Sequence, residues 1–138
     1  MTWLIYACVS AVAAALTAIL AKIGIEGVPS NLATAIRTIV ITFFAWAIVG
    51  VTGEHRAMAA VSRRSLIFLL LSGVATGVSW LAYFRALQLG PASRVSPIDK
   101  LSLPLTIVLA ALVLRESVGV RLVIGVALMT IGAVLTIG

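Results

Sequence analysis

The sequence predicts an all-α, polytopic membrane protein: a bundle of five transmembrane helices in a single domain, residues 1–138. Three observations carry this. Apolar residues make up 62% of the chain and the mean hydropathy is +1.23, whereas ordinary soluble domains are roughly 45–50% apolar. Only 10% of residues are charged, too few to coat a soluble surface, where about 25–35% is usual. The apolar residues also gather into five runs, each near the roughly 20 residues that an α-helix needs to cross a bilayer. No run alternates as a strand would, and no internal repeat is visible.

The first run, about residues 3–23, ends at Lys22, Gly24 and Gly27. No Lys or Arg precedes Trp3, and the apolar stretch continues to Leu20. That exceeds the roughly 7–15 apolar residues of a signal peptide, so the run reads as a retained helix. Pro29 and Ser30 supply a turn and an N-cap for the second helix, about 31–51. The one sizeable loop follows, 52–64, with Glu54, His55, Arg56, Arg63 and Arg64. The third helix covers about 65–89 and stops at Gly90-Pro91. The fourth, about 93–114, contains Pro97 and Pro104; after the Arg115-Glu116 turn the fifth runs over about 120–137.

The net charge of +6 does not imply a nucleic-acid partner. Nucleic-acid binding uses a basic patch on a solvated face, and here the cations sit one or two at a time between apolar runs. Cys8 is the sole cysteine and His55 the sole histidine, so disulfide and Cys/His metal frameworks are excluded. We expect no metal and no cofactor. There is no Gly-rich phosphate loop and no Ser/His/Asp set, so an enzyme is not expected either.

Ionisable residues within spans mark candidate functional positions, because burying them in a bilayer is costly. Arg37 is six residues into the second predicted helix, roughly 9 Å deep at 1.5 Å per residue. Asp99 and Lys100 are about as deep in the fourth, and Arg85 lies near the end of the third. All four belong to the same half of the membrane. Arg85 and Lys100 also read as side chains snorkelling to the interface. Arg37 and Asp99 read equally as a structural ion pair or as a site for an anion or a proton.

Neutral polar residues fall on single helix faces by their spacing of three and four. The stripes are Tyr6, Ser10 and Thr17, with Ala13 between the last two; Thr34, Thr38 and Thr42; Ser72, Thr76, Ser79 and Tyr83; and Asp99, Ser102 and Thr106. Any single stripe is better explained by hydroxyls bonding their own backbone or a neighbouring helix. Four together point to a cavity lined by helices one to four, with the fifth as scaffold. Gly73 and Gly77 form a GxxxG whose face continues through Trp80 and Phe84, and Gly125 and Gly132 lie one heptad apart. These are helix-packing signals. Pro97 and Pro104 each remove a backbone donor near Asp99, which either kinks the helix or frees carbonyls for a ligand.

Several of these strings resemble a known family. Arg37 early in the second helix, Tyr83-Phe84-Arg85-Ala86-Leu87-Gln88-Leu89-Gly90-Pro91-Ala92-Ser93, Pro97-Ile98-Asp99-Lys100-Leu101-Ser102 and Leu114-Arg115-Glu116 are similar to the EamA domain of the drug/metabolite transporter superfamily. The likeness covers nearly the whole chain and is strongest to short bacterial and archaeal members with one five-helix domain. It implies a multi-pass bacterial inner-membrane transporter of a small metabolite. Typical members join two such domains in inverted orientation around the substrate cavity. One domain here implies completion by a second copy in an antiparallel homodimer.

Charge placement bears on orientation. Arg56, Arg63, Arg64, Arg115 and Arg121 share one side with the N-terminus, while the opposite loops hold Lys22 and Arg94. That favours a cytoplasmic N-terminus. Counting Arg37, Arg85 and Lys100 with the second side makes the tally equal, so dual topology stays open. The leading expectation is a secondary transporter in a lipid bilayer, with Arg37, Asp99, Lys100, Trp80, Tyr83, Ser79, Tyr6 and Ser10 serving cargo or coupling. The alternative is a non-transporting membrane subunit or half of a heterodimer.

Overall fold

A computed structural model describes residues 2–137; Met1 and Gly138, the ends of the expected domain, lie outside the described residues. Among the described residues there are six α-helices: α1 (Thr2–Gly24), α2 (Ser30–Thr52), α3 (Arg63–Leu89), α4 (Ala92–Asp99), α5 (Ser102–Leu109) and α6 (Val120–Leu135). A 3₁₀ helix, Glu54–Ala60, fills the expected long loop, and a π-helical turn covers Ala110–Leu114. No strand occurs among the described residues. Four stretches are long and apolar enough to cross a membrane: α1, α2, α3 and Ala92–Leu114. The 16-residue α6 is a shorter apolar helix.

The count of five helices is therefore corrected to six, and the reason lies in the fourth predicted helix. Pro104 has no N–H to give the Lys100 carbonyl, so Leu103 N donates to it instead, at 2.9 Å. Lys100 N and Leu101 N likewise donate three residues back, to Pro97 O at 3.1 Å and Ile98 O at 3.0 Å. The chain thus crosses Lys100-Leu101 in a tightened turn and restarts at Ser102. This puts Pro104 in the first turn of α5, where a missing N–H is tolerated. The end of the span also departs from α geometry. Arg115 takes a left-handed φ of 56°, and Glu116 N reaches back to Ala110 O at 3.3 Å.

The helix starts are also sharper than expected. Ser30 is the first residue of α2 rather than its N-cap; extended Pro29 (φ −57°, ψ 133°) holds the cap position, with no side-chain bond. The Ser30 carbonyl instead receives Thr34 Oγ1 at 2.9 Å. α3 starts at Arg63, two residues before the predicted start, and Ser62 just ahead of it supplies a capping hydroxyl: Ser65 N donates to Ser62 Oγ at 3.0 Å. α2 ends at Gly53 in the left-handed region, φ 75°, where only glycine is unstrained.

The chain forms two compact units, and the boundary falls inside α1 and after α3. In the unit of residues 20–89, α2 packs antiparallel on α3. The open end of this hairpin is latched by two side chains. Lys22 Nζ donates to the Leu87 carbonyl at 2.6 Å, and Gln88 Nε2 donates to the Val28 carbonyl at 3.1 Å. The last four carbonyls of a helix lack intrahelical donors, and α3 has no basic residue in its own last turn. A lysine from α1 supplies the missing donor. Ile25, Ser30, Thr34, Phe84 and Leu87, the buried residues of this unit, all lie toward that end.

The second unit holds the N-terminal part of α1 with everything after α3, and α4 and α5 each pack on α6. Ala18 and Ala133 are its buried residues. In neither unit do the long helices hide their apolar faces: at most 6% of the most apolar stretch of any of them is buried within the chain. Helices satisfy their backbone internally, so such faces are stable against lipid. The chain is a multi-pass membrane protein.

Candidate functional site

The feature richest in polar groups of the hairpin is Arg37. It lies seven residues into α2, about 10 Å along the axis, and its guanidinium sits 4.3 Å from the Trp80 ring centroid and 5.3 Å from that of Phe84. Trp80 and Phe84 are one helical turn apart, which is why one guanidinium meets both rings. Tyr83 extends the aromatic group, its ring edge-on to Phe84 at 6.4 Å. Among the described residues Arg37 has no hydrogen bond and no ion pair. Placing Arg mid-span costs about 2.5–3.5 kcal/mol on insertion scales, and a cation–π contact returns about 0.5–2 kcal/mol. The aromatic platform offsets part of that cost and leaves the five N–H donors open.

The second cluster is at the break between α4 and α5. Lys100 Nζ and Asp99 Oδ2 are 3.2 Å apart, with side-chain exposures of 50% and 36%. Asp99 is thus bonded to its sequence neighbour Lys100, so the pair forms within one turn and ties no other element to it. Beside it, Ala18, Ile19, Ala92, Ser93, Ser96, Pro97 and Lys100 line a cleft of about 470 Å³. Pro97 offers no N–H to the Ser93 carbonyl, so this cleft combines an ammonium, two hydroxyls and an underused acceptor.

The polar stripes are partly spent on their own helices. The hydroxyls of Thr34, Thr38, Thr76 and Thr106 each donate to the carbonyl four residues earlier, at 2.8–2.9 Å. Self-bonding of this kind is the ordinary behaviour of Thr in helices. Tyr6, Ser10 and Ser79 are exposed, and among the described residues none of them has a hydrogen-bond partner. Arg85 does not reach outward unaided: its Nη1 donates to Gln88 Oε1 at 2.7 Å. Arg85 and Gln88 line a cleft of about 650 Å³ with Gly27–Asn31.

Gly73, Gly77, Gly125 and Gly132 meet nothing inside the chain; a Cβ at any of them would have no neighbour within 4 Å. Their faces are open to lipid or to another chain. Three contributors are not legible as such in the sequence. Phe84 reads there as part of the glycine face and not as a second ring for Arg37, and its four-residue spacing from Trp80 is the available signal. Lys22 and Gln88 gave no pattern, because a latch between distant segments leaves none.

Long apolar spans, one of them broken at a charge pair beside two prolines, define a polytopic helical membrane protein. The chain matches the EamA-like transporter family over residues 1–138 and belongs to that family. It is 46% identical over 134 residues to a protein from a Sinorhizobium species described as an uncharacterized transporter in the cobO 3′ region. That likeness spans 97% of this chain and 95% of the relative. No solved structure shows a significant match.

Proposed function

We propose that the protein is a secondary-active transporter of a small metabolite, coupled at the Asp99-Lys100 step and completed by a second, antiparallel copy in the bacterial inner membrane. The observation that carries this reading is the ion pair at the turn where two prolines break a span. A broken helix leaves backbone acceptors and a hinge at membrane depth, the arrangement by which transporters bind ions and cargo. Asp99 is the coupling group and Lys100 its partner. Trp80, Tyr83, Ser79, Tyr6 and Ser10 face cargo. The even distribution of Lys and Arg supports insertion in both orientations, which an antiparallel pair needs. The open glycine faces of α3 and α6 support contact with another chain.

The test is Asp99→Asn reconstituted in proteoliposomes. It should insert normally and lose pH-driven uptake to background; full pH-driven uptake rules the coupling role out. Labelling of single cysteines placed in 54–60 should occur from both sides of the membrane, and labelling from one side alone removes dual topology. The same glycine faces also suit a non-transporting subunit or half of a heterodimer. Oligomeric state in mild detergent separates these: a stable homodimer supports transport, whereas a monomer that assembles only with a different chain supports the subunit.

A further inference from the structure

We infer that the Arg37-Trp80-Phe84 cluster is an anion-recognition subsite, and that the cargo is a small organic anion whose carboxylate meets the Arg37 guanidinium while its apolar body lies against the aromatic rings. The inference rests on the transport reading for its claim that the anion is cargo.

Direction is the first argument. Helix side chains lean toward their own N-terminus, and the N-terminus of α2 is the latched, interfacial end of the hairpin. A snorkelling Arg37 would follow that lean outward. Its guanidinium instead lies closest to Trp80, nine residues or about 13 Å from the end of α3, and further from Phe84, one turn nearer the interface. The cation is held inward of the position that snorkelling predicts.

Charge balance is the second argument. The chain has four acidic residues, and the two in this unit, Glu26 and Glu54, lie outside the spans. Asp99 is bonded to Lys100, and Arg37 has no carboxylate partner among the described residues. The rings meet the guanidinium at cation–π distance and accept none of its N–H donors as hydrogen bonds, so those donors stay available. A carboxylate accepts two parallel bonds from them. Neutral cargo would leave the charge uncompensated, and cationic cargo would be repelled by it.

A variant with Trp3→Phe and Trp46→Phe makes Trp80 the sole tryptophan and its fluorescence a reporter of the ring under Arg37. In phosphatidylcholine nanodiscs, benzoate should shift this emission saturably and benzamide, its uncharged isostere, should not. Arg37→Gln should weaken benzoate binding about tenfold or more, and Arg37→Lys should fall between. Equal titration by benzamide, or unchanged benzoate affinity in Arg37→Gln, overturns the assignment. So does a shift in phosphatidylglycerol nanodiscs that abolishes the benzoate response, because the occupant is then a lipid headgroup. Benzoate binding without uptake in proteoliposomes removes transport and keeps the anion subsite. Uptake of neutral or cationic compounds with no benzoate response does the reverse.

Discussion

The hairpin of α2 and α3 and the segment from α4 to α6 solve the same problem by opposite means. In the hairpin two long, unbroken helices are closed at one end by side chains that reach distant carbonyls, Lys22 of α1 on the Leu87 carbonyl and Gln88 of α3 on the Val28 carbonyl. Its charge, Arg37, rests on rings. In the other segment the span is interrupted, the stabilising bonds are local three-residue contacts, and the charges pair with one another across a single peptide. Tertiary hydrogen bonds hold one region at a fixed register. The other carries its irregularity in its own backbone and can bend where the prolines fall. Transport by hinge motion needs both kinds, a platform and an element that changes shape against it.

The largest effect should come from repairing the break. In a helix running unbroken through Lys100-Leu101, Pro104 would be interior at a cost of about 3 kcal/mol; Pro104→Ala removes that obstacle and offers an N–H to the Lys100 carbonyl. Amide exchange over residues 100–104 should slow by about a hundredfold, and uptake should fall as the hinge stiffens. Exchange that stays fast would show that something other than Pro104 keeps the helix open. Next is Lys22→Met, which leaves the carbonyl of fully buried Leu87 without its side-chain donor. Stability should fall by about 1–3 kcal/mol, seen as a lower midpoint in thermal unfolding, with the loss localised by exchange to the ends of α2 and α3. An unchanged midpoint would mean the latch is decorative. The smallest of the three is Ser62→Ala, which removes the α3 cap at a cost of about 1 kcal/mol. Its effect on unfolding should stay below that of Lys22→Met; a larger one would place the hairpin's weak point at the wrong end.

How much of this could be read beforehand follows from the range of each interaction. Apolar runs of bilayer length are local, so the four long stretches were legible to within two residues at most ends. The prolines were visible too, but not that the span would break at Lys100-Leu101. That position depends on α5 restarting so that Pro104 falls in its first turn. The Thr stripes say nothing of availability, since a hydroxyl bonded to the carbonyl four residues back has the same spacing as one lining a cavity. Arg37 stood out by its depth. Its aromatic platform did not, because it required knowing that α2 meets α3 along the face bearing Trp80 and Phe84. Lys22 was legible only as a residue ending a helix, while its bond to Leu87 spans 65 positions.

The 16 residues of α6 give a rod about 24 Å long, and the hydrocarbon layer of a typical bilayer is about 30 Å thick. A crossing at that point draws the two leaflets together by several ångströms, at a fraction of a kcal/mol for each. Lipid chain length therefore becomes a control on the protein: short acyl chains relieve the mismatch at α6, and long ones drive that helix toward a neighbour that can share the thinned patch.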